Sequence, residues 1–147
     1  MPRLSKHEEE GRFYWCCRNL DLGDLELTKI VRTVCRMMVV WPEDVVGRVA
    51  AGKAVSFSSN PRSKPPQGYV YSYSRWLCWR LAYVLTDHSV ENIADILGGF
   101  SYGHVGKYAR SWQPFIDYSP DNWLARRRWI VEICLKLGVT PEDMPPR

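Results

Sequence analysis

Apolar positions recur along this chain at the spacing of helices, and no stretch alternates as a half-buried strand would. After Asp24, residues Leu27, Ile30, Val31, Val34, Cys35 and Met38 form one apolar stripe at i, i+3, i+4 and i+7 intervals. Ahead of it, Ser5 and Glu8 make a capping-box pair. The helix they open turns Phe13, Tyr14 and Cys17 towards the next element and ends near Asn19. Trp41-Pro42-Glu43-Asp44 starts a third helix, with proline in the first turn and acids where the helix dipole favours them; Gly52 is its expected stop.

The string from Lys53 to Gly68, rich in Ser, Pro, Lys and Arg, resists regular structure and reads as an exposed loop. Helical spacing resumes at Ser74, with Trp76, Leu77, Arg80, Leu81, Val84 and Leu85. Ser89 is an N-cap for the next helix, whose buried stripe is Val90, Ile93, Ala94 and Leu97, and Gly98-Gly99 ends it. Ser101 caps another, the helix Ser101–Trp112, in which Val105, Tyr108, Ala109 and Trp112 point inward and after which Pro114 closes the unit. Two short helices about a tight turn are the layout of a helix-turn-helix.

A last helix opens at Ser119-Pro120-Asp121. Leu124, Val131, Cys134 and Leu135 are expected to face the core, Trp123, Ile130, Ile133 and Leu137 broaden the apolar face, and Gly138 ends the helix. Thr140-Pro141-Glu142-Asp143 adds a turn. The expected fold is all-α: one compact multi-helix domain over residues 1–147. It comprises N-terminal helices (5–52), a basic loop (53–73), the helix-turn-helix unit (74–112) and a C-terminal helix with its tail (119–147).

Composition adds an aromatic emphasis, since seven Trp and eight Tyr assign most large rings to the core. No apolar run is long enough to span a bilayer and MPRLSKHEEE has no signal-like apolar region, so a soluble, cytoplasmic protein with no membrane contact is expected. The five cysteines lack C-x-x-C spacing. Cys35, Cys78 and Cys134 lie in apolar helical patterns and read as small buried hydrophobes, and Cys16-Cys17 near His7 does not amount to a metal site. His7, His88 and His104 lie in separate elements, His88 as a surface or packing residue, and no nucleophile motif accompanies them. Neither catalysis nor a cofactor is implied.

The net charge of +4 is unevenly spread. Residues 47–73 hold Arg48, Lys53, Arg62 and Lys64 and no acid, whereas residues 74–112 carry only +1. A basic loop is a common footprint of phosphate contact. On the second helix of the unit, Tyr102, His104, Lys107 and Ser111 remain on the outer face, with Arg110 at its edge. Gly103 and Gly106 each cost a helix about 1 kcal/mol relative to alanine, which a close approach of the backbone to DNA or to a neighbouring helix would explain. Arg126-Arg127-Arg128 fan around the last helix too widely to be buried together and suit a phosphate or an acidic partner, with Arg128 able to pair with Glu132.

The run RWLCWRLAYVLTDHSVENIADILGGFSYGHVGKYARSW resembles the C-terminal DNA-binding domain of DnaA-type bacterial replication initiators, which has a Trp-repressor-like helix-turn-helix. The matching positions are Arg75, Leu85, Thr86, Asp87, Ser89, Ile93, Gly98-Gly99, Val105 and Arg110, and IVRTVCRMMVVWPEDVVGR is similar to the family's preceding helix and turn. The resemblance covers roughly residues 25–112. It implies double-stranded DNA as partner; Tyr102, His104 and Lys107 are expected near bases, Lys107, Arg110 and the Arg62/Lys64 loop near phosphates, and Ser101, Gly103 and Ser111 are further candidates for DNA contact. Where the family carries an Arg-Asp-His-Thr-Thr signature, this chain has Phe100 to His104, so a different DNA sequence would be read. No G-x-x-x-x-G-K-[ST] phosphate loop occurs, so ATP-driven melting of an origin is not implied.

The expectation is therefore a sequence-specific transcriptional or replication regulator, for which palindromic sites would call for a homodimer. The alternative is a protein-interaction module of the same fold, such as an inhibitor of a host protein or an assembly component. Aromatic residues such as Phe100 and Tyr102, expected to be exposed, suit a protein interface at least as well as DNA.

Overall fold

The computed structural model describes residues 6–47, 68–98 and 100–139, and among these every regular element is helical. Helix α1 (Lys6–Asn19) leads through a short bend into α2 (Leu25–Met38). Asp24 starts α2 by accepting a hydrogen bond from the Leu27 amide at 2.9 Å, and Thr28 Oγ1 accepts from Leu22 N at 3.0 Å, so the connection is held from both sides. The expected stripe is buried at Leu27, Ile30, Val31, Val34 and Cys35. On α1 the inward residues are Phe13, Cys16 and Cys17, while Tyr14, expected to point inward, is exposed and packs by its edge on Phe13. Val39 ends α2 in the left-handed conformation (φ 56°), an uncommon choice for a β-branched residue.

Helix α3 is the single turn Pro42–Val45 rather than a helix running to Gly52, which lies outside the described residues. Helix α4 (Gly68–Leu85) begins six residues before the predicted Ser74. No proline interrupts it, and Tyr73, Leu77 and Leu81 continue one buried line at i+4 spacing. Leu77, Cys78, Leu81 and Ala82 are almost wholly buried, because α4 is packed on by α2, α3 and the two helices that follow, α5 (Val90–Ile96) and α6 (Tyr102–Ala109). Val84 falls on its exposed side.

Pro114 does not terminate the α5–α6 unit. It occupies the first turn of a further helix, α7 (Gln113–Tyr118), where its missing N–H is of no consequence. A 3-10 turn at Pro120–Asn122 leads into α8 (Trp123–Lys136), and Gly138 follows with φ 77°. The face that α8 turns inward differs from the expected one. Trp123, Ile130, Ile133 and Cys134 are buried, whereas Leu124 and Leu135 are more than half exposed. Trp123 sets this rotation: its ring lies 6.4 Å from that of Trp112, and the largest side chain of the first turn must go where the core has room. The tail from Thr140 and residues 53–67 of the expected basic loop 53–73 lie outside the described residues, and residues 68–73 of that loop belong instead to α4.

Candidate nucleic-acid interface

Helices α5 and α6 are capped as predicted. Ser89 accepts from the Asn92 amide at 3.2 Å and Ser101 from the His104 amide at 3.4 Å. Val90, Ile93, Ala94 and the C-cap Leu97 of the first helix and Val105, Tyr108 and Ala109 of the second are buried, as is Trp112 just beyond it. Three side chains of α4 then fix how α6 lies. Trp76 stacks on Tyr108 at 4.3 Å with planes 5° apart, and Trp79 meets His104 edge-on at 5.3 Å. Arg80, itself buried, donates to the Ala109 carbonyl at 2.6 Å and lies over the Trp112 ring. A cation at the carbonyl end of α6 satisfies one of its unpaired acceptors and opposes its dipole.

The turn between the two helices rests on a backbone contact. Gly98 takes φ 132°, which side-chain-bearing residues rarely adopt, and it abuts Gly47 so closely that a Cβ on either would overlap the other's backbone. The Gly47 amide donates to the Leu97 carbonyl at 2.8 Å. Arg75 ties the same junction from α4, donating to the carbonyls of Val45 at 2.8 Å and Asp44 at 2.9 Å while its guanidinium covers the Phe100 ring. Sequence reasoning did not find this Gly47–Gly98 crossing. Its only signal was a glycine at position 47, beside Arg48, the first basic residue of the acid-free segment 47–73.

The outer face of α6 presents Ser101, Tyr102, Gly103, His104, Lys107 and Arg110, all exposed. The helix ends at Ala109, with Arg110 as its C-cap, rather than at Trp112. Ser111 therefore leaves this face: its Oγ accepts from the Gln113 amide at 3.0 Å and belongs to the start of α7. Tyr102 donates to Asp95 on α5 at 3.0 Å, and that carboxylate raises the phenol above its usual pKa. The His104 ring meets Trp79 and Tyr108 in T-shaped contacts at 5.3 and 5.5 Å while the residue remains exposed. The Lys107 ammonium lies 5.3 Å from the Tyr108 ring centroid.

Gly106 is buried, and a Cβ there would meet Val90 at an ordinary 3.6 Å and crowd only the tip of the exposed, flexible Arg110 side chain, so no fixed neighbour requires glycine at this position. At Gly103 a Cβ would meet nothing nearer than Ser101 Oγ at 4.0 Å. No internal contact requires glycine there. Arg62 and Lys64 lie outside the described residues, but Gly47, the last described residue before their segment, sits against the turn that precedes α6.

Acids border the same face, with Glu91 and Asp95 exposed on α5. Phe100 is not the exposed aromatic expected, because its ring packs on Trp79 at 4.9 Å beneath Arg75; Tyr102 alone of that pair is presented, at 48% exposure. All five cysteines are buried and unbridged. Burial, reinforced by neighbouring Cys16, raises the Cys17 thiol to about 12, so it stays protonated near neutrality. Among the described residues no three His, Cys, Asp or Glu side chains come together as a metal site. His88 Nε2 pairs with Asp24 Oδ2 at 2.7 Å and joins the start of α2 to the residue before the α5 cap. No described helix is long and apolar enough to cross a membrane. Comparison of the chain with protein-family models, with curated proteins and with solved structures yields no match.

Proposed function

We propose that the protein binds double-stranded DNA as a transcriptional or replication regulator, with α5 and α6 serving as a helix-turn-helix and α6 entering the major groove. The observation that carries this reading is the division of α6 into two faces. One is locked onto α4 by Trp76, Trp79 and Arg80, and the other holds Ser101, Tyr102, His104, Lys107 and Arg110 in solvent. Those side chains are hydrogen-bonding or cationic and lie along the helix from its N-terminal end, which is how a recognition helix addresses base edges and phosphates. Gly103 adds a place where the helix backbone can come close to a partner. The likeness of residues 25–112 to the DnaA-type DNA-binding domain supports the same assignment, and the changed residues from Phe100 to His104 imply a different target.

Selection from random duplex DNA with the purified chain tests the proposal. Enrichment of one sequence motif is the expected result; recovery of an unselected pool would refute sequence-specific binding. A second reading is favoured by one feature, the acids Glu91 and Asp95 beside Tyr102, which would repel phosphate. If selection fails, the same face becomes a docking surface for a basic or aromatic protein segment, and mixing with DNA would leave the spectrum of α6 unchanged.

A further inference from the structure

Away from α6, a cleft of about 590 Å³ opens between the end of α7 and the first turns of α8, lined by Tyr118, Ser119, Asn122, Ala125, Arg126 and Trp129. Its volume falls in the range of small-molecule sites, roughly 300–1,000 Å³. Arg126, the first of the three consecutive arginines, forms part of the wall. Its guanidinium carbon sits 5.1 Å from the Tyr73 ring centroid and 5.0 Å from that of Tyr118, so two ring faces hold it in place. Its Nη1 is buried and meets no acceptor among the described residues; the Tyr73 hydroxyl, also buried, lacks a partner as well. Nη1 itself has no access to the cleft, so a ligand there would meet the partly exposed remainder of the Arg126 side chain. Trp129, on the same wall, is 59% exposed, a large flat surface with no ring of the described residues over it.

We propose that this cleft binds a small planar anion, a flat ring bearing a phosphate or carboxylate. The acidic group is held by Arg126 and the ring stacks on Trp129. The guanidinium supplies paired donors suited to either oxyanion, and the two tyrosine rings hold it in one orientation before the ligand arrives. Asn122 and Ser119, joined by a 2.9 Å hydrogen bond, place further polar atoms on the rim. The site shares no residue with the α6 face and stands or falls independently of DNA binding.

Adenosine 5′-monophosphate and indole-3-acetate serve as probes of the phosphate and carboxylate forms, with adenosine and inorganic phosphate as half-ligands. The readout is the set of indole N–H signals in a nitrogen-correlated spectrum of the full chain, in which Trp129 is identified by the signal lost in Trp129→Leu. At least one probe is expected to shift that signal with saturable binding, whereas the half-ligands bind at least about tenfold more weakly. Whichever probe binds distinguishes phosphate from carboxylate. Arg126→Gln and Trp129→Leu are each expected to weaken binding about tenfold. Trp129→Leu alters an exposed side chain and so tests the site even if Arg126→Gln destabilises the fold. No shift with either probe up to about 5 mM, half-ligands that bind as well as the whole, or Trp129→Leu that binds like the parent would overturn the proposal.

Discussion

At the scale of single residues, two positions hold the α5–α6 unit to the rest of the protein. Gly98 combines a left-handed φ of 132° with backbone contact to Gly47, so a methyl group there is strained and has nowhere to go. Gly98→Ala is expected to lower stability by about 3 kcal/mol, read as a shift in the denaturant midpoint; a shift below about 0.5 kcal/mol would mean that the turn does not need this contact. Asp24 acts through charge. The Leu27 amide holds its carboxyl below the ordinary 3.8; burial opposes this, and the hydrogen bond and charge of His88 add to the lowering. A depressed carboxyl pKa in the folded state contributes stability above the unfolded value and loses it as pH falls through the folded one. Asp24→Ala is therefore expected to cost about 1 kcal/mol near pH 7, with the difference from the parent closing towards pH 3. A pH-independent difference would assign the effect to packing.

Among the elements, those with a narrow apolar stripe and a polar cap were legible from sequence, and α5 and α6 are the clearest instances. Ser89 and Ser101 cap as expected, and all eight inward residues are buried. Helix α8 was less legible because its apolar residues run nearly all round, so periodicity alone could not choose between Leu124 and Trp123 as the inward residue. Tertiary packing against Trp112 made that choice. The start of α4 was misread because the loop's Ser and Pro content masked helical spacing at Tyr73. Of the candidate site, six α6 positions lie on one exposed face, while Ser111 was lost to α7 because the boundary of a short helix cannot be set by pattern. The α6 face makes its own prediction. Lys107→Ala combined with Arg110→Ala should weaken DNA binding about tenfold with the thermal midpoint little changed, since both side chains are exposed. Unaltered affinity in a folded double variant would remove α6 from the interface.

Across the described residues, Arg80 is the charged side chain drawn into the core, where the Ala109 carbonyl and the Trp112 ring receive it. The core is a continuous aromatic and aliphatic cluster into which all the longer helices send residues, and among its rings Trp76, Trp79 and Tyr108 bind α6 to α4. The basic excess lies in residues 47–73, next in sequence to the Gly47–Gly98 contact, while residues 74–112 carry only +1. Lys107 and Arg110 are thus few cations for a DNA interface on their own, and the proposed function needs Arg62 and Lys64 to join them. That requirement makes salt dependence the most direct test. Affinity for the selected duplex, measured across a range of salt concentrations, should fall with a log-log slope near about −3.6, as four phosphate contacts require. A slope near zero would contradict the account, because the duplex would then be held without the four cations assigned to its phosphates.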